Sequence, residues 1–256
     1  TDMRRFDQMD QFETMIGSGP GLPLHLEFNL DDPIAGDIYV RKAANYGINQ
    51  EDLVQKFAYG YREPAYGLLS PGTVGYWPGV EDYYEYDPAM AKEVMRMGGW
   101  EMHDDGFFYK NGEQAKLFTP IIFRERAMQI VQGQLRKVGI NLDVTPVSKQ
   151  QQDEYVMDGK GNFVLRWNSP DASVLRDPLH SSNISHEGNF KFNWFRLDSP
   201  RIDELLAQAR AAKSREERLA IYKHIQAIER ELALSLPFSP VSQTVAFDKD
   251  LTGLKF

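Results

Sequence analysis

Tyr86-Asp87-Pro88-Ala89-Met90-Ala91-Lys92-Glu93-Val94-Met95 opens a run that continues to Val147 and decides how this chain folds. Asp87 stands where a side chain accepts the first free helix N-H groups, and Pro88 fits the first helical position, where no donor is lost. Gly98-Gly99 then stops the helix. Apolar residues on either side of Asn111-Gly112 predict a hairpin with a tight turn, because both turn residues tolerate positive φ. Lys116 to Phe123 reads as a strand. An amphipathic helix follows, with Ala127, Ile130, Val131, Leu135 and Val138 at helical spacing. Gly139 ends it, and Ile140 to Val147 reads as a second strand.

Strand, helix and strand with short joints make a right-handed crossover and a parallel pair. Ser148 is placed to cap a short helix to Met157, and Asn162 to Trp167 returns as a third strand. The middle of the chain is therefore α/β. Upstream, Asp2 to Ile16 is expected to be a helix closed by Gly17-Ser18-Gly19-Pro20-Gly21, with Leu24 to Leu30 as a strand. A helix starts near Asp37, and Asn49 caps another carrying Leu53, Val54 and Phe57. The stretch Tyr59 to Tyr86 is rich in Tyr, Pro and Gly without a period, which predicts an ordered functional loop. Downstream, Asn168 to Asp198 is irregular. Ser199-Pro200 starts one helix, and Ser214-Arg215-Glu216-Glu217 is a capping box for the next. A late strand is expected around Thr244 to Phe247. Met90, Met95, Met97 and Met102 belong to one helix and its exit, and are expected in the core.

With 256 residues, 42% of them hydrophobic and 12% aromatic, the chain has the material for a real core. A net charge of -8 with dispersed basic residues argues against a nucleic-acid surface. The absence of cysteine rules out disulfides and thiolate metal sites. No apolar run reaches the length of a membrane span, and Thr1-Asp2-Met3-Arg4-Arg5 does not open a signal peptide. Of the histidines, only His180 and His186 are near each other, and their spacing fits no strong metal signature. Neither a metal nor a cofactor is implied. No nucleophile elbow or phosphate loop is present, so a hydrolase using paired carboxylates is a remote alternative to a binding protein.

Several segments in register carry a resemblance. They are Val40-Arg41-Lys42-Ala43-Ala44-Asn45-Tyr46-Gly47-Ile48-Asn49, Leu69-Ser70-Pro71-Gly72, the Tyr86-Asp87-Pro88 helix through Trp100, Leu135-Arg136-Lys137-Val138-Gly139-Ile140, and Asp203-Glu204-Leu205-Leu206 through Pro237. Over nearly the whole chain this resembles the ATP-binding-cassette substrate-binding proteins of solute-binding family 5, which carry oligopeptides, dipeptides, nickel and some sugars. Members are about twice as long, and this chain resembles their C-terminal half. The resemblance implies a periplasmic-binding-protein type II-like lobe, a mixed sheet with βαβ crossovers and flanking helices. By the same likeness, residues 1–29 are the end of a first lobe and a hinge strand, 30–235 a second large lobe, and 236–256 the return hinge and strand. It further implies a monomer in the periplasm or outside the cell, free or tethered as a lipoprotein. Such a protein takes a peptide or other small-molecule ligand and delivers it to an ABC permease in the membrane. An oligosaccharide or a nickel complex is the alternative cargo.

In the family, the segment after the third strand supplies much of the site, and here it is Arg166-Trp167-Asn168-Ser169-Pro170-Asp171. Arg166 suits a two-pronged contact with a carboxylate, and Trp167 suits an apolar wall. Trp167 can equally be core, Arg166 solvated and Asp171 a helix cap. The family pattern places an Asp soon after the Trp. This sequence has Pro170 at the nearest position and Asp171 one place later, a departure that bears on peptide specificity. Tyr76 and Trp77 offer rings to a ligand, or pin their long loop as a hydrophobic cluster. Ser181-Ser182-Asn183 reads as ligand donors or as polar turn chemistry.

Overall fold

The computed structural model describes residues 3–254, with the backbone alone at 241 and 242. A helical turn, α1 (Met3–Asp7), precedes the long strand β1 (Phe12–Glu27). Helices α2 (Ile38–Gly47) and α3 (Gln50–Ala58) follow, then a loop with one 3-10 turn at Pro78–Asp82, and helix α4 (Pro88–Met97). A small antiparallel meander comes next, built from β2 (Glu101–Met102), β3 (Phe108–Lys110) and β4 (Glu113–Gln114). Strand β5 (Lys116–Ile121), helix α5 (Glu125–Lys137) and strand β6 (Asn141–Pro146) form the crossover, and α6 (Lys149–Met157) leads to β7 (Phe163–Asn168). Short helix α7 (Arg176–Leu179), helices α8 (Pro200–Ala211) and α9 (Arg215–Glu231), and strand β8 (Ser235–Asp248) complete the order.

The crossover forms as its sequence dictates. β5 and β6 pair in parallel from Lys116 opposite Asn141 to Ile121 opposite Pro146. In the hairpin, Asn111 and Gly112 adopt φ of 54° and 84° between the pairs Lys110–Glu113 and Tyr109–Gln114. The helix starts are capped by side chains that satisfy free N-H groups. Asp87 accepts from Ala89 and Met90, Asn49 from Asp52, and Ser148 shares a reciprocal box with Gln151. At Ser214 the box is displaced by one residue. Ser214 accepts from the Glu217 N-H, but the Glu217 carboxylate reaches the N-H of Lys213 at 2.9 Å.

The N-terminal expectation is overturned. Among the described residues of Asp2 to Ile16, only Met3–Asp7 is helical, and β1 runs from Phe12 straight through the Gly17–Gly21 stretch; Asp2 itself lies outside the described residues. The reason is a partner that is distant in sequence. Phe12 to Gly19 pair antiparallel with Val241 to Asp248, and Leu24 to Glu27 pair with Ser235 to Ser239. The register shifts between Gly19 and Leu24, where Gly21 takes φ +125°, so the glycines bend the strand rather than end it. β8 is accordingly longer than the Thr244 to Phe247 segment expected. The third strand, β7, joins this sheet in the order β7-β1-β8 instead of extending the parallel pair.

This antiparallel sheet separates two cores, because alternate side chains leave opposite faces. Val164 of β7 packs with Leu24, Leu26, Phe28, Leu236 and Phe238 and with the residues of α2, α4, α5, β5 and β6. Phe163 and Leu165 go to the other side, with Leu22, Leu234 and the apolar faces of α8 and α9. Of the methionines expected inside, Met95 is fully buried, whereas Met90, Met97 and Met102 are exposed, Met97 by 66%. The helical period places Met95 on the buried face with Ala91 and Val94 and turns Met90 and Met97 outward, while Met102 lies on the exposed strand β2.

Two polar groups lie deep in the sheet. His25 and Glu27 on β1 are both fully buried, with the His25 ring nitrogens 2.7 Å from the Pro23 carbonyl and 3.1 Å from Glu27 Oε1. Arg230 is also buried; it donates to the Ser235 carbonyl and to Asn45, and lies 4.9 Å from the Tyr84 ring centre.

Candidate functional site

The carboxyl ends of β5 and β7 lie on one side of the fold. Asn162, just before β7, donates to the Phe118 carbonyl at 2.8 Å, so β7 starts beside the middle of β5. Past Ile121, the exposed Ile122 and Phe123 lead to Arg124, and past Leu165 the chain presents Arg166, Trp167 and Asn168. Carboxyl ends of strands are where α/β folds place their ligands.

Trp167 is 43% exposed, which answers the question of core or surface in favour of surface. Its ring meets Phe192 edge to face at 5.1 Å. Phe192 and Phe190 each pack on Trp194, and Trp194 packs on Phe163 of the core. A chain of rings thus ties an exposed tryptophan to the buried sheet. Phe190 and Phe192 were not expected from sequence; the aromatic alternation Phe190-Lys191-Phe192-Asn193-Trp194 inside an irregular stretch was the available signal.

Backbone crossings fix the position of Trp167. A Cβ on Gly21 would lie 2.0 Å from the Trp167 carbonyl oxygen, and one on Gly72 would lie 2.2 Å from that of Ser18. The Gly21 carbonyl accepts from the Ser70 N-H and the Gly21 N-H donates to Thr73 Oγ1, each at 2.8 Å. Val74 and Asp171 form a bridge in which Val74 N-H donates to Pro170 and Ala172 N-H to Val74. The Leu69-Ser70-Pro71-Gly72 loop, the bend of β1 and the segment after β7 therefore meet at one place.

The remaining expected residues are held less freely. Asp171 accepts from the Ser173 N-H at 2.8 Å and pairs with Arg218 of α9 at 3.1 Å, so it caps a 3-10 turn. The Tyr76 hydroxyl donates to Glu81 at 2.6 Å; burial, then that carboxylate, pushes its proton affinity above the usual tyrosine range. Trp77 packs edge to face on Tyr83, with Lys223 of α9 5.0 Å from its ring centre, and neither ring pairs with Trp167. Ser181-Ser182-Asn183 is a 3-10 turn whose Ser181 N-H donates to Asp203 and whose Asn183 donates to the carbonyls of Arg176 and Asp177.

Arg166 has company that sequence reading missed. Burial, then repulsion from Arg124 and Arg166, lowers the proton affinity of Arg62, and burial followed by Arg166 does the same to Arg124. Among the described residues no carboxylate pairs with any of the three, and Arg62 Nη1 is buried without a hydrogen-bond partner.

Residues 4–189 match the model of the bacterial extracellular solute-binding proteins, family 5, middle region, and the chain belongs to that family. Its fold is the periplasmic-binding-protein type II-like lobe. It is 24% identical over 264 aligned residues to the nickel-binding periplasmic protein of Escherichia coli K12, covering 98% of this chain and 49% of that protein. It is 27% identical over 242 residues to the peptide transport periplasmic protein SapA of Salmonella typhimurium LT2, covering 92% and 42%. In structure it is similar to the oligopeptide-binding protein AppA of Bacillus subtilis, solved with a nonapeptide, with a TM-score of 0.79 over all of this chain and 51% of that one, at 20% identity. The chain spans about half the length of the relatives it matches.

Proposed function

We propose that this chain supplies the second lobe of an extracytoplasmic solute-binding protein, which captures a peptide between two lobes and delivers it to an ABC permease. The observation that carries this reading is the exposed Trp167, fixed by close backbone crossings at the carboxyl end of β7, where the paired strands β1 and β8 leave the lobe's core. An aromatic wall beside arginine donors suits a peptide, whose backbone and charged ends need hydrogen bonds while its side chains need room. Arg166, Trp167 and Asn168 make the ligand contacts in this proposal, with Asp171, Tyr76 and Trp77 forming the flank. Residues 1–29 and 236–256 belong to the hinge and the first lobe; Thr1, Asp2, Lys255 and Phe256 lie outside the described residues.

A nickel complex is the second reading, favoured by the similarity to the Escherichia coli protein. Among the described residues no cluster of three His, Cys, Asp or Glu side chains could hold the ion, so this half by itself offers no cage for a bare ion. Native mass spectrometry of the full-length protein, purified without denaturation, tests both. A retained peptide mass supports the proposal, a retained nickel or sugar mass replaces the cargo, and turnover of a bound peptide would overturn the transport reading.

A further inference from the structure

We propose that the hollow between the start of α3 and the loop before α4 is a second ligand site on this lobe, and that it takes a linear organic cation of the aliphatic polyamine class. None of Arg166, Trp167 and Asn168 lines it, so it stands or falls independently of the solute-capture reading.

The first ground is the wall. A cavity of about 600 Å³ opens here, and its rim carries the carboxylates of Glu51, Glu81, Asp82 and Glu85. Unpaired carboxylates are ordinary in a chain with 37 acidic and 29 basic residues, and Glu51 by itself suits the positive start of α3. Four around one hollow, none of them paired with a lysine or arginine among the described residues, call for a further reason. Tyr66, Tyr84 and Tyr86 add their rings to the same wall. A tyrosine face attracts a cation, more strongly where water is partly excluded. Arg230 packs on Tyr84, 4.9 Å from its ring centre, but it is buried and already engaged by Asn45 and by Glu229 at 3.7 Å.

The second ground is Gln50. This residue is 5% exposed and lines the cavity, yet its side-chain amide has no hydrogen-bond partner among the described residues. The other buried glutamines are all bonded: Gln134 to Asp52, Gln152 to the Pro120 carbonyl and Gln226 to the Gly75 carbonyl. An amide withdrawn from water without a partner opposes folding, so it is out of place unless an occupant completes it. Its carbonyl oxygen can accept from an ammonium, which donates in three directions.

The third ground is shape. Among the described residues no three acidic side chains stand close enough together to hold a metal ion, so the four carboxylates are spread around the rim. Spread carboxylates match a cation whose own charges are spaced apart. Tyrosine rings suit the methylenes between those charges, much as apolar surface takes the stem of a lysine. An aliphatic polyamine has both features.

Calorimetry on the full-length protein at fixed ionic strength tests this, with spermidine, diacetylspermidine and magnesium chloride as probes. Spermidine is expected to bind at least about tenfold more tightly than either of the others. Gln50→Leu is expected to weaken spermidine about threefold or more, while the melting temperature without ligand holds or rises because an unbonded buried amide is gone. Glu51→Gln combined with Glu85→Gln should weaken it about tenfold or more. Trp167→Ala should leave spermidine binding as it is. Equal binding of spermidine and magnesium would overturn the site by reducing it to a diffuse counterion effect. So would spermidine binding that is lost in Trp167→Ala and kept in Gln50→Leu, because the amine would then sit with the captured solute. A lowered melting temperature in Gln50→Leu with unchanged spermidine affinity would assign Gln50 to packing and overturn the proposal as well.

Discussion

Trp167 exposes its ring while its backbone is clamped between Gly21 and the start of the Val74–Asp171 bridge. Truncating an exposed side chain shifts stability by only about 0.5 kcal/mol, so Trp167→Ala is expected to fold normally. In the full-length protein its affinity for the natural ligand should fall about tenfold or more, since a stacked ring at a site centre contributes on the order of 1.5 kcal/mol or more. Calorimetry beside a melting curve checks both. Glu27 offers a pH signature. Its carboxyl is raised above the ordinary value of 4.5, burial being the main cause and the hydrogen bond and charge of His25 opposing it. A carboxyl with a raised folded value favours its protonated form in the fold. The associated stability is thus complete below 4.5 and lost as pH rises through the raised value. Glu27→Gln cannot ionise, so its stability relative to wild type should improve as pH rises above 4.5 and level off once the folded Glu27 carboxyl has ionised, in denaturant titrations. A flat difference would mean that Glu27 does not titrate in that window. Of the site, Arg166 and Trp167 were legible in the sequence as a donor and ring after a strand. Arg62 and Arg124 were not, because what brings their charges to bear on Arg166 is the fold, and nothing local in the sequence announces it.

The elements read most faithfully were those whose signals are local. Asp37, Asn49, Asp87, Ser148 and Ser199 each cap the helix their position announced, and the parallel β5–β6 pair follows from a period and two turns. β1 failed because its conformation is set by β8, and a local reading gives a helix wherever polar and apolar residues mix at loose spacing. Glycines were misread for the same reason: at Gly21 the glycine admits a second backbone into a strand. Gly21→Ala follows as an element-scale test. Its Cβ would overlap backbone atoms of Trp167, Asn168 and Ser169 at 2.0 to 2.8 Å, and φ +125° is unfavourable for alanine. We expect a loss of about 2–4 kcal/mol in chemical denaturation, from overpacking and backbone strain together. The substitution should also weaken ligand binding by moving Trp167. Gly112→Ala, in an open hairpin turn with nothing near the added carbon, should cost about 1 kcal/mol and leave binding alone.

At the scale of the molecule, two cores share one three-stranded sheet, and the strands β1 and β8 continue beyond it as a two-stranded ribbon from Phe12 to Gly19 and from Val241 to Asp248. In the proposed two-lobed protein that ribbon joins the lobes, and each lobe supplies part of the wall around the ligand. A fragment of these residues alone is then expected to bind far more weakly than the whole. Losing about 4 kcal/mol of contact takes a micromolar binder to roughly millimolar. Equal affinities of fragment and whole, measured by calorimetry, would refute a site shared between lobes. The shared sheet also sets a timetable. Phe12 pairs with Asp248, so the ladder cannot close until nearly all the intervening chain has left the ribosome. At ~5–20 residues per second this leaves the β8 edge of β1 open for roughly 10 to 50 seconds of synthesis, although β7 can cover its other edge earlier. The last ladder of the lobe therefore zips shut only after both cores can have begun to pack, so the sheet is closed by its ends rather than nucleated by them.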